Sequence, residues 1–321
     1  MNELNAESII GSRITNTSLR RWLGSISGVD KVGLEARAAE LSKRSIKTES
    51  KLWALDTIIK MIDLTTLEGM DTAERVRNLC QKALTPDVTD HDCPRPAAIC
   101  VYGDMVHHAK TALSNSSILV AAVATAFPSG RASLNVKIMD TKDAIRAGAD
   151  EIDMVIDRGA FLSGNYLEVF NQIKAIKNVC NQDKNKNLHL KVILETGELQ
   201  TYDNILRASN LAMLAGADFI KTSTGKVTVN ATLPTTLLML QAVRDWYGEY
   251  GIKIGVKPAG GIRTSKDAIK YLVTVNETAG KEWLTPQLFR FGASSLLNDV
   301  LMQRQKLKSG NYSGPDYVSV D

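Results

Sequence analysis

Apolar positions along this 321-residue chain fall into two alternating rhythms. Short, β-branched runs that end in polar residues occupy 62–67, 97–102, 119–125, 151–156, 188–194, 219–222, 253–257 and 288–291. Such runs read as buried strands opening into polar loops. Between them lie segments with apolar residues at helical spacing, over 71–83, 135–147, 165–180, 203–215, 232–247 and 265–275. Gly-Ala-Asp closes two of these helices, at Gly148 and Gly216, where a helix end favours glycine before the next strand. Strands alternating with helices in this way predict an α/β fold, a (β/α)8 TIM barrel. A doubly wound open sheet shares the alternation, but no glycine-rich fingerprint follows the first strand. The barrel is the better fit.

Two helical stretches, 34–42 and 50–61, precede the first strand. The chain therefore divides into an N-terminal helical extension (1–50), a barrel (51–305) and a flexible C-terminal tail (306–321). The extension is expected to pack beneath the barrel or at a subunit contact. Ser309-Gly310-Asn311 and Ser313-Gly314-Pro315 give the tail the composition of turns and linkers. The polar insertion 181–187 reads as a solvated loop.

Composition narrows the partners. With 44% hydrophobic and 23% charged residues the chain is of ordinary globular type. A net charge of +4 without a long basic run argues against nucleic acid but leaves room for a local phosphate site. Cys80, Cys93, Cys100 and Cys180 form no CxxC pair, and His91, adjacent His107-His108 and His189 lack metal-ligand spacing. No apolar run approaches the ~20 residues that span a bilayer, and the first residues lack a leader's basic and apolar regions. No metal, no cofactor, no membrane and a cytoplasmic location are expected.

In barrels, chemistry sits at the carboxyl ends of the strands. Here those ends carry Asp63 and Thr65, Cys100 and Tyr102, Thr125, Asp153 and Asp157, Glu195 and Thr196, Lys221, Lys257, and Gly292-Ala293-Ser294-Ser295. Lys221 and Lys257 stand out. Adjacent strands lie roughly 5 Å apart, so two ammonium groups there would crowd and disfavour double protonation. An unprotonated lysine attacks carbonyls. Alternatively, each lysine pairs with a barrel carboxylate and fills space. Gly225-Lys226, Gly260-Gly261-Ile262-Arg263 and Gly292-Ala293-Ser294-Ser295 follow three successive strands and converge as an anion site. Each glycine alone would serve a tight turn. Cys100 alone reads as a small buried filler, and Glu195 as either an acid or a lysine's partner.

The stretches Phe219-Ile220-Lys221-Thr222-Ser223-Thr224-Gly225-Lys226, Val256-Lys257-Pro258-Ala259-Gly260-Gly261-Ile262-Arg263 and Phe291-Gly292-Ala293-Ser294-Ser295-Leu296 strongly resemble the deoxyribose-phosphate aldolase family. Ile62-Asp63-Leu64-Thr65-Thr66-Leu67, Ala98-Ile99-Cys100-Val101-Tyr102 and Glu151-Ile152-Asp153-Met154-Val155 are similar to the family's other segments, so the resemblance runs from about residue 56 to 301. It implies a metal-free class I aldolase that cleaves 2-deoxy-D-ribose 5-phosphate reversibly into acetaldehyde and D-glyceraldehyde 3-phosphate. Lys221 would form the Schiff base, with Lys257 and Asp153 supporting proton transfer. Gly225, Lys226, Gly260, Gly261, Arg263, Gly292, Ser294 and Ser295 would bind phosphate; Asp63, Thr65, Cys100 and Thr224 would line the substrate pocket. A homo-oligomer, dimer or tetramer, is expected.

Three departures stand out. Gly103 follows Tyr102 where the family often has proline; the extension is longer than in shorter bacterial members; and the chain does not end in the tyrosine that several relatives direct into the active site, which leaves Tyr312 and Tyr317 without a clear counterpart. A phosphosugar isomerase and a phosphometabolite-binding barrel remain as alternatives; neither needs a free-amine nucleophile.

Overall fold

The structure, a computed structural model, describes residues 5–182 and 188–310. Helices α1 (Ala6–Ile10), α2 (Asn16–Ser25), α3 (Lys31–Lys43) and α4 (Thr48–Lys60) lead into β1 (Ile62–Thr65). The alternation then runs α5 (Ala73–Leu84), β2 (Ala98–Tyr102), α6 (Val106–Ala112), β3 (Leu119–Ala124), α7 (Leu134–Arg146), β4 (Glu151–Val155), α8 (Arg158–Leu162), α9 (Tyr166–Cys180) and β5 (His189–Ile193). It closes with α10 (Tyr202–Leu214), β6 (Phe219–Lys221), α11 (Leu233–Tyr250), β7 (Gly255–Lys257), α12 (Ser265–Thr278), β8 (Phe291–Ala293) and α13 (Leu296–Ser309).

The eight strands form one parallel sheet in the order β7-β6-β5-β4-β3-β2-β1-β8. Bridges Val256↔Phe289 and Ala259↔Gly292 join its two edges, so the sheet is a closed barrel. Closure removes the unpaired edges that an open parallel sheet would expose. Helix starts follow a common local rule. Thr72, Ser133, Thr201, Thr232 and Thr264 each accept a hydrogen bond from the backbone N–H three residues on, ahead of α5, α7, α10, α11 and α12.

Strand side chains alternate between two environments. The outward set, such as Leu64, Ile99, Val120, Ile152, Val192 and Ile220, joins the helices in the main apolar core. The inward set is different. A barrel interior is ordinarily filled by branched aliphatics; here Asp63, Glu151, Asp153, Lys191, Lys221, Lys257 and Arg290 are all buried. Charge at the centre of a fold is costly unless it is paired, which already marks this interior as more than packing.

The extension lies on the outer ring of helices. α2 packs on α9 and α10, and α3 on α11 and α12. Asn16 Nδ2 donates to the Gly164 carbonyl at 3.1 Å, and the Val29 N–H donates to Asp203 Oδ1 at 3.0 Å. The eighth strand begins at Phe291, later than the 288–291 run suggests, because the Leu288 and Phe289 N–H groups close a turn onto the Thr285 carbonyl. Of the stretch 306–321 expected as a tail, residues 306–309 continue α13, which stops at Gly310, whose φ of 76° is left-handed; residues 311–321 lie outside the described residues. Tyr312, Tyr317 and residues 183–187 lie outside the described residues. None of the described helices is long and apolar enough to cross a membrane.

Candidate active site

Lys221 ends β6 and Lys257 ends β7, and the two are direct partners in the parallel register. The adjacency predicted from sequence is present, but its electrostatics differ from simple crowding. Asp153, at the centre of β4, reaches between them. Its Oδ2 accepts from Lys221 Nζ at 2.8 Å and from Lys257 Nζ at 2.7 Å, while its Oδ1 accepts from Lys191 Nζ at 3.1 Å. Burial alone would raise the Asp153 pKa, but the Lys191, Lys221 and Lys257 ammonium groups hold it well below the usual carboxylate range. Lys257 is pinned on its other side by Asp63 Oδ2 at 2.5 Å. Burial disfavours its charge, but Asp153 and Asp63 outweigh burial and raise its pKa above that of an ordinary lysine. Lys257 is therefore a fixed cation, and the lowered pKa that crowding would give it is absent.

The network runs on into the barrel. Arg290 Nη1 donates to Asp63 Oδ1 at 2.5 Å, and its Nη2 to Glu151 Oε1 at 3.0 Å. Lys191 Nζ donates to Glu151 Oε2 at 2.5 Å. Sequence reasoning missed Lys191, Glu151 and Arg290. The signal was present, since Lys191 interrupts an apolar strand as Lys221 does, and Glu151 shares the Asp153 face by two-residue periodicity.

Above the lysines opens a cleft of about 1100 Å³. The loops after β1, β6, β7 and β8 wall it on one side and α5 on the other. Lys221 lines the cleft; Lys257 and Asp153 lie behind it. Gly225, Lys226, Gly260, Gly261, Arg263, Gly292, Ser294 and Ser295, the eight residues singled out as an anion site, all line the cleft, as do Thr65 and Thr224. Asp63 and Cys100 do not. Both are fully buried beneath it, Asp63 holding Lys257, and Cys100 with its Sγ 4.0 Å from Asp153 Oδ2.

Local backbone chemistry shapes this part of the cleft. Gly260 and Gly261 both take left-handed φ, 77° and 82°, and a Cβ at Gly260 would lie 2.7 Å from Asn230 Oδ1. α13 starts just past Ser294 and Ser295, and Ser295 makes no side-chain cap bond, which leaves first-turn N–H groups for an incoming anion. Lys226 meets Glu68 Oε1 at 2.8 Å across the barrel mouth. Gly292 has a second use. A Cβ there would lie 2.8 Å from Ala259 Cβ and 3.2 Å from Lys257 Cε, so the glycine also leaves space for the lysine.

Glu195 holds Thr224, not a lysine: its carboxylate accepts from the Thr224 backbone N–H at 3.2 Å and from the hydroxyl at 2.5 Å. Burial raises its pKa against those two bonds. Among the described residues no group of three His, Cys, Asp or Glu side chains is arranged to hold a metal ion.

This pairing of a cleft-facing lysine with a buried lysine–carboxylate network prompts comparison with known proteins. Residues 57–302 match the sequence profile of the DeoC/LacD family aldolases. The chain belongs to that aldolase family. Family relatives include the deoxyribose-phosphate aldolases of Mus musculus and Homo sapiens, each 42% identical over 303 residues, which cover 91% of this chain and 93% of theirs. Among solved structures, a putative deoxyribose-phosphate aldolase from Coccidioides immitis superposes with a TM-score of 0.69 at 28% identity, covering 90% of this chain and 98% of that one. As a family member the chain is an aldolase, and hence a carbon–carbon lyase.

Proposed function

We propose that the chain cleaves 2-deoxy-D-ribose 5-phosphate reversibly, through an imine on Lys221. The observation that carries this reading is the asymmetry of the two lysines. Lys257 is locked between two carboxylates and sealed from the cleft; Lys221 has one carboxylate contact and faces it. The Lys221 amine adds to C1 of the open-chain sugar, and loss of water gives a protonated imine. As the C3 hydroxyl loses its proton, the C2–C3 bond breaks and its electrons pass into the imine as an enamine. D-Glyceraldehyde 3-phosphate departs. Protonation at C2 and hydrolysis then release acetaldehyde and restore the amine.

Asp153 and Lys257 flank the reacting nitrogen and move protons on and off the carbinolamine oxygen and C2, with water as the link. The phosphate rests on the glycine loops, the start of α13, Lys226 and Arg263. That position is remote from the bond being broken, so it anchors and orients the sugar. The names of the close relatives support this choice of substrate.

Borohydride reduction in the presence of acetaldehyde tests the reading. Peptide mass analysis should find a stable ethyl group on Lys221, and none in Lys221→Arg, whose guanidinium stays protonated. An isomerase or a simple binder would give no adduct in the unaltered chain.

A further inference from the structure

Of the cations that line the cleft beside the glycine loops, Lys226 already has an anion. Its Nζ lies 2.8 Å from Glu68 Oε1, and both residues line the cleft. The two come from separate parts of the mouth. Glu68 follows β1 and Lys226 follows β6, with β7 and β8 between those strands in the closed ring.

Each arm has a fixed base. The Glu68 backbone N–H donates to Asp71 Oδ2 at 2.9 Å; Asp71 Oδ1 accepts from the Thr66 hydroxyl at 2.8 Å and lies 3.4 Å from Arg75 Nε. The Lys226 backbone N–H donates to Thr224 Oγ1 at 3.1 Å, and Thr224 is itself held by Glu195. The tips, by contrast, can part. The Glu68 side chain is 56% exposed, and an ion pair in that setting is worth little, so an arriving dianion can break it. Lys226 holds the Glu68 carboxyl below the usual carboxylate range, and Arg75, on the same cleft, adds to the effect. A displaced Glu68 therefore stays beside positive charge. If it did not move, its carboxylate would stand within hydrogen-bond reach of the phosphate's own cation, where like charges repel.

We propose that Glu68 is a built-in competitor for the substrate phosphate: it occupies Lys226 in the free enzyme, gives way as the phosphate arrives, and returns as the phosphorylated product leaves. The proposal rests on the reading of the glycine loops, Lys226 and Arg263 as the phosphate site. It adds that the site is set for release as well as capture. A cation engaged elsewhere in about three quarters of the molecules binds its ligand about fourfold more weakly than a free one.

The test uses the full chain, with inorganic phosphate as the probe in calorimetry and steady-state kinetics on the sugars alongside. Glu68→Gln should bind phosphate about three- to fivefold more tightly and lower KM for the phosphorylated sugar by a similar factor. Product inhibition by D-glyceraldehyde 3-phosphate should strengthen in step. KM for non-phosphorylated deoxyribose should not fall. Lys226→Met should weaken phosphate binding, and adding Glu68→Gln to it should recover less than twofold, because the competition is for Lys226. An unchanged or weaker affinity for phosphate in Glu68→Gln, or the full gain persisting without Lys226, would overturn the proposal. So would an equal fall in KM for both sugars. If Lys226→Met and Arg263→Ala both leave phosphate binding unaltered, the phosphate site itself is misplaced and the proposal falls with it; if they weaken binding while Glu68→Gln does nothing, the competitor alone is lost.

Discussion

A buried lysine acquires its role from the number of carboxylates that reach it. Lys257, with two, is an anchored cation; Lys221, with one shared oxygen, is the lysine that lines the cleft and the proposed nucleophile. Gly292 shows how tightly this arrangement is packed. Gly292→Ala would press a methyl toward Ala259 and the Lys257 side chain. Displacing Lys257 from Asp153 should lower kcat by about ten- to a hundredfold, since small misplacements at a reacting centre are expensive. Steady-state kinetics check this: a rise in KM with kcat unchanged would mean that Gly292 serves phosphate alone.

At the level of elements, the strand ends divide the labour. β6 and β7 deliver the lysines, β4 delivers the carboxylate between them, and the loops after β6, β7 and β8 line the cleft as the proposed anion cradle. Glycines suit that proposed role because they leave backbone N–H groups accessible to an anion. Arg263→Ala removes one cation from that lining. It should raise KM for the phosphorylated sugar by about 10- to 100-fold and leave kcat nearly unchanged. Non-phosphorylated deoxyribose measured alongside should be insensitive; an equal penalty for both sugars would remove Arg263 from the phosphate site.

For the molecule as a whole, the charged interior couples stability to pH. The carboxyls of Asp63, Glu151 and Asp153 all lie below their ordinary range, burial opposing and the neighbouring cations prevailing. A depressed carboxylate contributes stability that is fully present above its unfolded value, near pH 4, and is lost as pH falls through the folded value. The melting temperature should therefore hold steady down to about pH 5 and fall steeply below pH 4. Asp153→Asn, which takes the shared negative charge from three lysines, should weaken that acid dependence while lowering the melting temperature at pH 7. A variant with the unaltered acid profile would separate Asp153 from the effect.

The sequence by itself determined the alternation of strands and helices, the adjacency of Lys221 and Lys257, and the glycine loops. Each is a local pattern, written in periodicity, strand-end chemistry and backbone freedom. It also left signals unread: Leu296, Leu297, Val300 and Leu301 carry the apolar face of α13 but follow a loop that drew notice for its serines. Tertiary structure alone decided which charges meet. Asp153 lies 68 residues from Lys221 and 104 from Lys257, and Arg290 lies 227 from Asp63. Closing the barrel converts those separations into contacts of under 3 Å in an interior without bulk water. The pairing of Lys257, and the exposure of Lys221 to the cleft, follow from that closure, because a charge's state depends on neighbours that only the folded ring supplies.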